Sequence, residues 1–169
     1  MYEKFGQFID GKWQASSSKE TYEVINPANE EVIGRASKAT PEDVDRALKS
    51  AEKGLEVWKK TPPWQRSSVI RKIADLIRAK QDVLAKWITL EVGKPFLEGK
   101  GEVGATADIF EWNAEETKRI YGQTVESRFE DTRIHVYYQP IGVVAAMSPW
   151  NFPLVLSGRK ISTALAAGC

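Results

Sequence analysis

"IGVVAAMSPWNFPLVLSGRKISTALAAG", residues 141–168, places two kinds of pattern on either side of one stiff turn. "IGVVAAMSP" is a continuous apolar run, the mark of a strand covered on both faces. "PLVLSGRKISTALAAG" reads as a helix with Pro153 at its first position, where proline suits the start of a helix. Between them, Pro149 and Pro153 leave Trp150, Asn151 and Phe152 few backbone states. A buried strand leading into a helix is the opening of a βαβ-type unit, so the fold class is α/β.

Upstream, "RIHVYYQ" at 133–139 alternates charged and apolar residues, as a two-sided antiparallel strand does. Three helices precede it. The first follows Thr40 as N-cap, with Pro41 at its first position and Glu42 and Asp43 facing the helix dipole. Its apolar stripe is Val44, Leu48, Ala51, Leu55 and Trp58, and "TPP" at 61–63 ends it. The second is expected from about Pro63 to Glu91, with Val69, Ile73, Leu76, Ile77, Leu84 and Ile88 on one face and "EVGKP" as its stop. The third is expected from about Phe96 to Ile120, with Val103, Ala107, Phe110 and Ala114 together. Residues 7–27 read as a hairpin or edge strands, with Asp10-Gly11 as a turn between Phe8-Ile9 and Lys12-Trp13.

"GKGEVG" at 99–104 matches the dinucleotide-binding glycine pattern letter for letter. That fingerprint needs a strand in front of it, and here the end of one helix leads into the next. The glycines are read instead as allowing close helix packing or a flexible helix start.

With 24 basic and 23 acidic residues, the net charge is +1, which excludes a nucleic-acid interface and a polybasic membrane surface as partners. A single cysteine, Cys169, and a single histidine, His135, exclude an intrachain disulfide, a thiolate cluster and a histidine metal site. The N-terminus carries no signal-peptide core, no run approaches the ~20 apolar residues of a membrane span, and the expected location is cytoplasmic. Because "ALAAGC" closes the sequence without a polar tail, the chain is expected to be the front part of something longer.

Asn151 has two readings on physical grounds. Its side chain caps the helix beginning at Pro153, or its amide N–H meets a substrate oxygen that turns negative during reaction. A preorganised donor of the second kind is worth roughly 2.7–4 kcal/mol in acyl chemistry.

The segment "QPIGVVAAMSPWNFPLVLSGRKISTALAAGC" resembles the part of the NAD(P)-dependent aldehyde dehydrogenases that opens their cofactor-binding domain. "FIDGKW", "INPANEEVIG", "LEVGKP" and "EWNAEETKRIYG" extend the resemblance over essentially the whole chain. It implies N-terminal helices and strands plus the first strand–helix unit of a Rossmann-like parallel sheet, truncated. Residues 1–124 would be the N-terminal part of the cofactor-binding domain, 125–139 an oligomerisation segment, and 140–169 the start of the Rossmann-like sheet.

By the same resemblance Asn151 is the oxyanion-hole asparagine and Lys160 a lysine of the proton relay. Met147, Ser148, Pro149 and Trp150 line the NAD or NADP site. Phe152 and Leu156 border the aldehyde tunnel or simply fill the core. Arg159 is similar to the arginine of succinate-semialdehyde dehydrogenases and some lactaldehyde-type relatives, where it faces the polar tail of the substrate. A guanidinium fork grips a carboxylate by two hydrogen bonds that an aromatic side chain cannot make; bracing a helix end or a neighbouring subunit is the alternative use.

The family's cysteine nucleophile and its glutamate match nothing in these residues, so the 169-residue chain by itself is expected to be inactive. Cys169 is read as a packing residue, and no metal ligands are assigned. Ile25 and Glu91 match places where some relatives hold a monovalent cation. The whole enzyme is expected to be a homo-oligomer, a dimer or tetramer, acting on a small aldehyde. A general or lactaldehyde-type dehydrogenase is the alternative within the class, and a non-catalytic module of the same ancestry is the alternative outside it.

Overall fold

One helix organises the rest. The structure, a computed structural model, describes residues 6–169. In it α4 (Phe96–Glu116) packs against α2 (Pro63–Ala79), α3 (Gln81–Val92) and α5 (Pro153–Ala167). Val103, Thr106, Ala107, Phe110 and Ala114 of α4 are all buried. Phe110 and Ala114 join Ile70 and Ala74 of α2 and Ala166 of α5 in one cluster. Val103 joins Ala85 and Ile88 of α3 in a second. Burying a side chain such as Ile70 or Val103 is worth about 1.5–3 kcal/mol. The close-packing reading of "GKGEVG" holds at Gly99, where a Cβ would stand 3.0 Å from the Ala85 carbonyl oxygen of α3.

The single helix expected from Pro63 to Glu91 is two. Lys80, with φ −109° and ψ 17°, divides α2 from α3. The break redirects the apolar face, so that Ile70 and Ala74 of α2 join the first cluster and Ala85 and Ile88 of α3 the second, with Ile77 packed against both. No glycine or proline marks that point in the sequence, and tertiary packing decides it.

Before the helices lie two separate hairpins. β1 (Gln7–Ile9) pairs with β2 (Lys12–Gln14), Phe8 opposite Trp13, across the expected Asp10-Gly11 turn, whose φ values are 55° and 73°. β3 (Thr21–Ile25) pairs with β4 (Val32–Ser37), a strand that the sequence reading did not isolate. α1 (Pro41–Trp58) follows and begins as expected. Thr40 Oγ1 accepts from the Asp43 amide, while Asp43 Oδ2 accepts from the Thr40 amide. Asp43 is buried, and the Thr40 amide, with Arg46, Gln7 and Ser16 adding to it, holds its carboxyl well below the usual carboxylate range. The apolar stripe of α1 is less covered than its pattern suggests, since Val44 and Leu48 remain exposed.

β5 (Gln123–Glu126) and β6 (Arg133–Val136) form an antiparallel ribbon exposed along its whole length, with His135 opposite Thr124. The apolar run at 141–149 departs from expectation. Among the described residues no strand pairs with it, and Ile141, Val144 and Met147 are exposed. A continuous apolar pattern signals cover on both faces, and here Val143, Val144 and Ala146 only line an open pocket with α1 and α5. The fold is α/β, with the helices supplying the core.

Candidate active site

The turn before α5 is held from below. Gly93, with φ 76°, ends α3 in the left-handed conformation that glycine adopts freely. Lys94 and Pro95 then link α3 to α4. Lys94 Nζ lies 2.6 Å from Glu102 Oε2, donates to the Asn151 carbonyl oxygen at 3.1 Å, and sits 3.6 Å from the centroid of the Phe152 ring. Glu102 Oε1 accepts from the backbone N–H groups of Leu154 and Val155 at 2.9 and 3.2 Å. A carboxylate at a helix N-terminus is favoured by the helix dipole, and burial of this one is compatible with stability because both oxygens are engaged.

This arrangement corrects the capping reading of Asn151. Phe152, not Asn151, occupies the N-cap position of α5, and no local side chain caps the helix. Glu102 does so from α4. Asn151 is exposed, and among the described residues no hydrogen bond engages its side-chain amide. Phe152 is partly exposed beneath the Lys94 ammonium, so core filling does not describe it.

α5 has two faces. Val155, Gly158, Ser162 and Ala166 are buried, with Gly158 close against Thr106 and Phe110 of α4 and Ser162 Oγ bonded to Asn113 Nδ2 at 3.0 Å. Leu156, Arg159, Lys160 and Thr163 recur at helical spacing on the other side. Arg159, Lys160 and Thr163 line a groove of about 400 Å³ together with Val144, Ala164 and Ala167. Arg159 and Lys160 are thus brought together, whereas Asn151 lies at the helix start, outside that lining. Met147, Ser148, Pro149 and Trp150 are all exposed in the segment leading to the turn. Among the described residues, no hydrogen bond engages the backbone of Met147 or Ser148, which leaves those groups free for a dinucleotide. The Leu154 and Val155 amides are not free for its phosphates, because Glu102 holds them.

Lys94 and Glu102 escaped the sequence reading. Two signals pointed to Glu102: a helix with neither a capping residue at Phe152 nor an acid in its first turn, and a glutamate on the apolar side of α4 beside Val103 and Thr106. Among the described residues, no three His, Cys, Asp or Glu side chains group as metal ligands, and no helix is long and apolar enough to cross a membrane.

A stiff turn with an exposed amide thus leads into a helix that carries two cations on its open face. The family model described as "Aldehyde dehydrogenase family" matches residues 13–169, and the chain belongs to that family. Over 161 residues it is 45% identical to the succinate semialdehyde dehydrogenase of Acinetobacter baylyi, covering 95% of this chain and 33% of that protein. Over 162 residues it is 44% identical to the glutarate-semialdehyde dehydrogenase of Pseudomonas putida, covering 96% and 34%. A solved structure of an NADP-dependent enzyme from E. coli superposes with a TM-score of 0.95 at 40% identity, covering 100% of this chain and 36% of that one. The chain spans about a third of the length of the curated relatives it matches.

Proposed function

We propose that this chain forms the N-terminal third of a dehydrogenase that oxidises an aldehyde with a carboxylate at its far end, such as succinate semialdehyde, to the corresponding acid. NAD(P)+ supplies the hydride acceptor, held along Met147, Ser148, Pro149 and Trp150. The Asn151 amide donates to the aldehyde oxygen as a nucleophile adds and negative charge collects there, the place where a fixed donor contributes most. Lys160 moves protons at the mouth of the site. Arg159 takes the carboxylate tail with its two parallel N–H groups, and Phe152 and Leu156 border the aldehyde's path.

The observation that carries this reading is the bare Asn151 amide at the end of a turn braced by other groups. The names of the relatives support the substrate class, since both act on aldehydes that end in a carboxylate. Residues 125–139, with the exposed β5–β6 ribbon, serve subunit contact in a homo-oligomer, and the enzyme works in the cytosol. The test is Arg159→Ala in the full-length enzyme. KM for succinate semialdehyde rises about tenfold or more, the scale of a charged hydrogen-bonded contact, while KM for butyraldehyde is unchanged. Equal effects on the two substrates refute carboxylate recognition by Arg159.

A further inference from the structure

The chemistry just described uses the Asn151 side chain and leaves the pair beneath it without a task. Lys94 and Glu102 have side chains only 9% and 0% exposed. Apolar residues of similar volume would fill such a place as well or better, because burying two charges costs much of what their attraction returns. What a charged pair can do there, and an apolar pair cannot, is hold polar backbone. Lys94 holds the Asn151 carbonyl, and Glu102 holds the amides of Leu154 and Val155. These contacts bracket the asparagine on its C-terminal side.

We propose that Lys94 and Glu102 are positioning residues for Asn151, fixing its peptide and the start of α5 so that its amide meets the forming oxyanion without rearrangement. The proposal rests on the oxyanion reading of Asn151 given above. Pro153 restricts the residue before it, and both prolines fix their own φ, but neither fixes ψ of Asn151. That torsion sets the direction of the Asn151 carbonyl, the atom Lys94 grips. Since no protein group among the described residues engages the Asn151 amide, its aim follows from its backbone and rotamer. A displacement of about 1 Å at such a group costs roughly 100-fold in rate.

The test is a double-mutant cycle in the full-length enzyme, with succinate semialdehyde and NADP+ as substrates. Lys94→Met lowers kcat about ten- to a hundredfold with KM little changed, and Lys94→Arg, which keeps a charged donor, restores most of it. In an Asn151→Ala background, where the backbone carbonyl persists but the donor is gone, Lys94→Met lowers kcat by less than about twofold more, the scatter of such cycles. A full additional loss in that background, or an unchanged kcat with only a lower melting temperature, overturns the positioning role and leaves the oxyanion reading standing. An Asn151→Ala enzyme with undiminished kcat sinks the oxyanion reading itself. Should Lys94→Met not fold, the neutral pair Lys94→Met/Glu102→Gln, which keeps a carbonyl acceptor for the α5 amides, carries the same comparison.

Discussion

α1 and α5 both begin at a proline, Pro41 and Pro153, and both starts rest on a buried carboxylate, yet the two carboxylates come from opposite kinds of place. Asp43 belongs to the first turn of α1. It accepts from the amides of Ser17 and Thr40 and pairs with Arg46 at 2.6 Å. Glu102 stands 52 residues before Leu154. It accepts from the amides of Leu154 and Val155 and pairs with Lys94 at 2.6 Å. Each carboxylate has two backbone donors and one cation, and Asp43 accepts in addition from Ser16 Oγ and Gln7 Nε2. What also differs is when each set can form. The Thr40–Asp43 box of α1 forms within four residues, and Gln7, Ser16 and Ser17 add to it from a distance, whereas the α5 start exists only once α4 has docked. The turn that carries Asn151 is therefore shaped by the tertiary fold, and a change deep in α4 reaches it.

The contrast breaks most visibly at Glu102. Glu102→Ala leaves the Lys94 ammonium buried without its carboxylate and strips two amides of their acceptor. Removing one partner of a buried pair destabilises by about 3–5 kcal/mol, and denaturant unfolding of the full-length enzyme reads it. A loss under about 1 kcal/mol shows that α5 begins without help from α4, and the distinction between the two starts is then lost.

Asp43 sharpens the contrast through pH. Its carboxyl is held well below the ordinary value in the folded chain, first by the Thr40 amide and then by Arg46, Gln7 and Ser16. A depressed folded pKa means that the unfolded chain takes up the proton first as pH falls. Its contribution is thus complete above the ordinary carboxylate range and drains away as pH drops below about 4. Asp43→Asn lowers stability at neutral pH and makes the acid limb of a stability–pH curve shallower. An acid limb of unchanged slope shows that Asp43 carries none of it.

The same two starts explain how much was legible in the sequence. Thr40, Pro41, Glu42 and Asp43 sit within four residues, so the N-cap and the first turn of α1 can be read directly. The Asp10-Gly11 turn and the apolar face of α4 were readable for the same reason, since each depends on neighbours or on period. The break at Lys80 was not, because it answers to two separate clusters on α4. The Lys94–Glu102 pair, too, shows its purpose only when α5 arrives. The run at 141–149 was readable as apolar and misled on its surroundings, because a pattern records the need for cover and not its source. Of the candidate site, the residue types at Asn151, Arg159 and Lys160 were visible, while the support beneath Asn151 was not.

The smallest effect falls on Thr40. Thr40→Ala removes the hydroxyl that accepts from the Asp43 amide and leaves Asp43 still bonded to the Thr40 amide, which alanine also has. Only half of the box is lost, and the expected cost is about 1 kcal/mol, typical of an N-cap replaced by alanine. The exposed bond between Ser17 Oγ and Thr40 Oγ1 disappears with it, but water replaces that partner at little cost. A cap made of several pieces, near and distant, loses them one at a time, whereas the cap at α5 hangs on one side chain. If Thr40→Ala and Glu102→Ala destabilise the full-length enzyme equally, the start of α1 also depends on a single group, and its apparent redundancy is wrong.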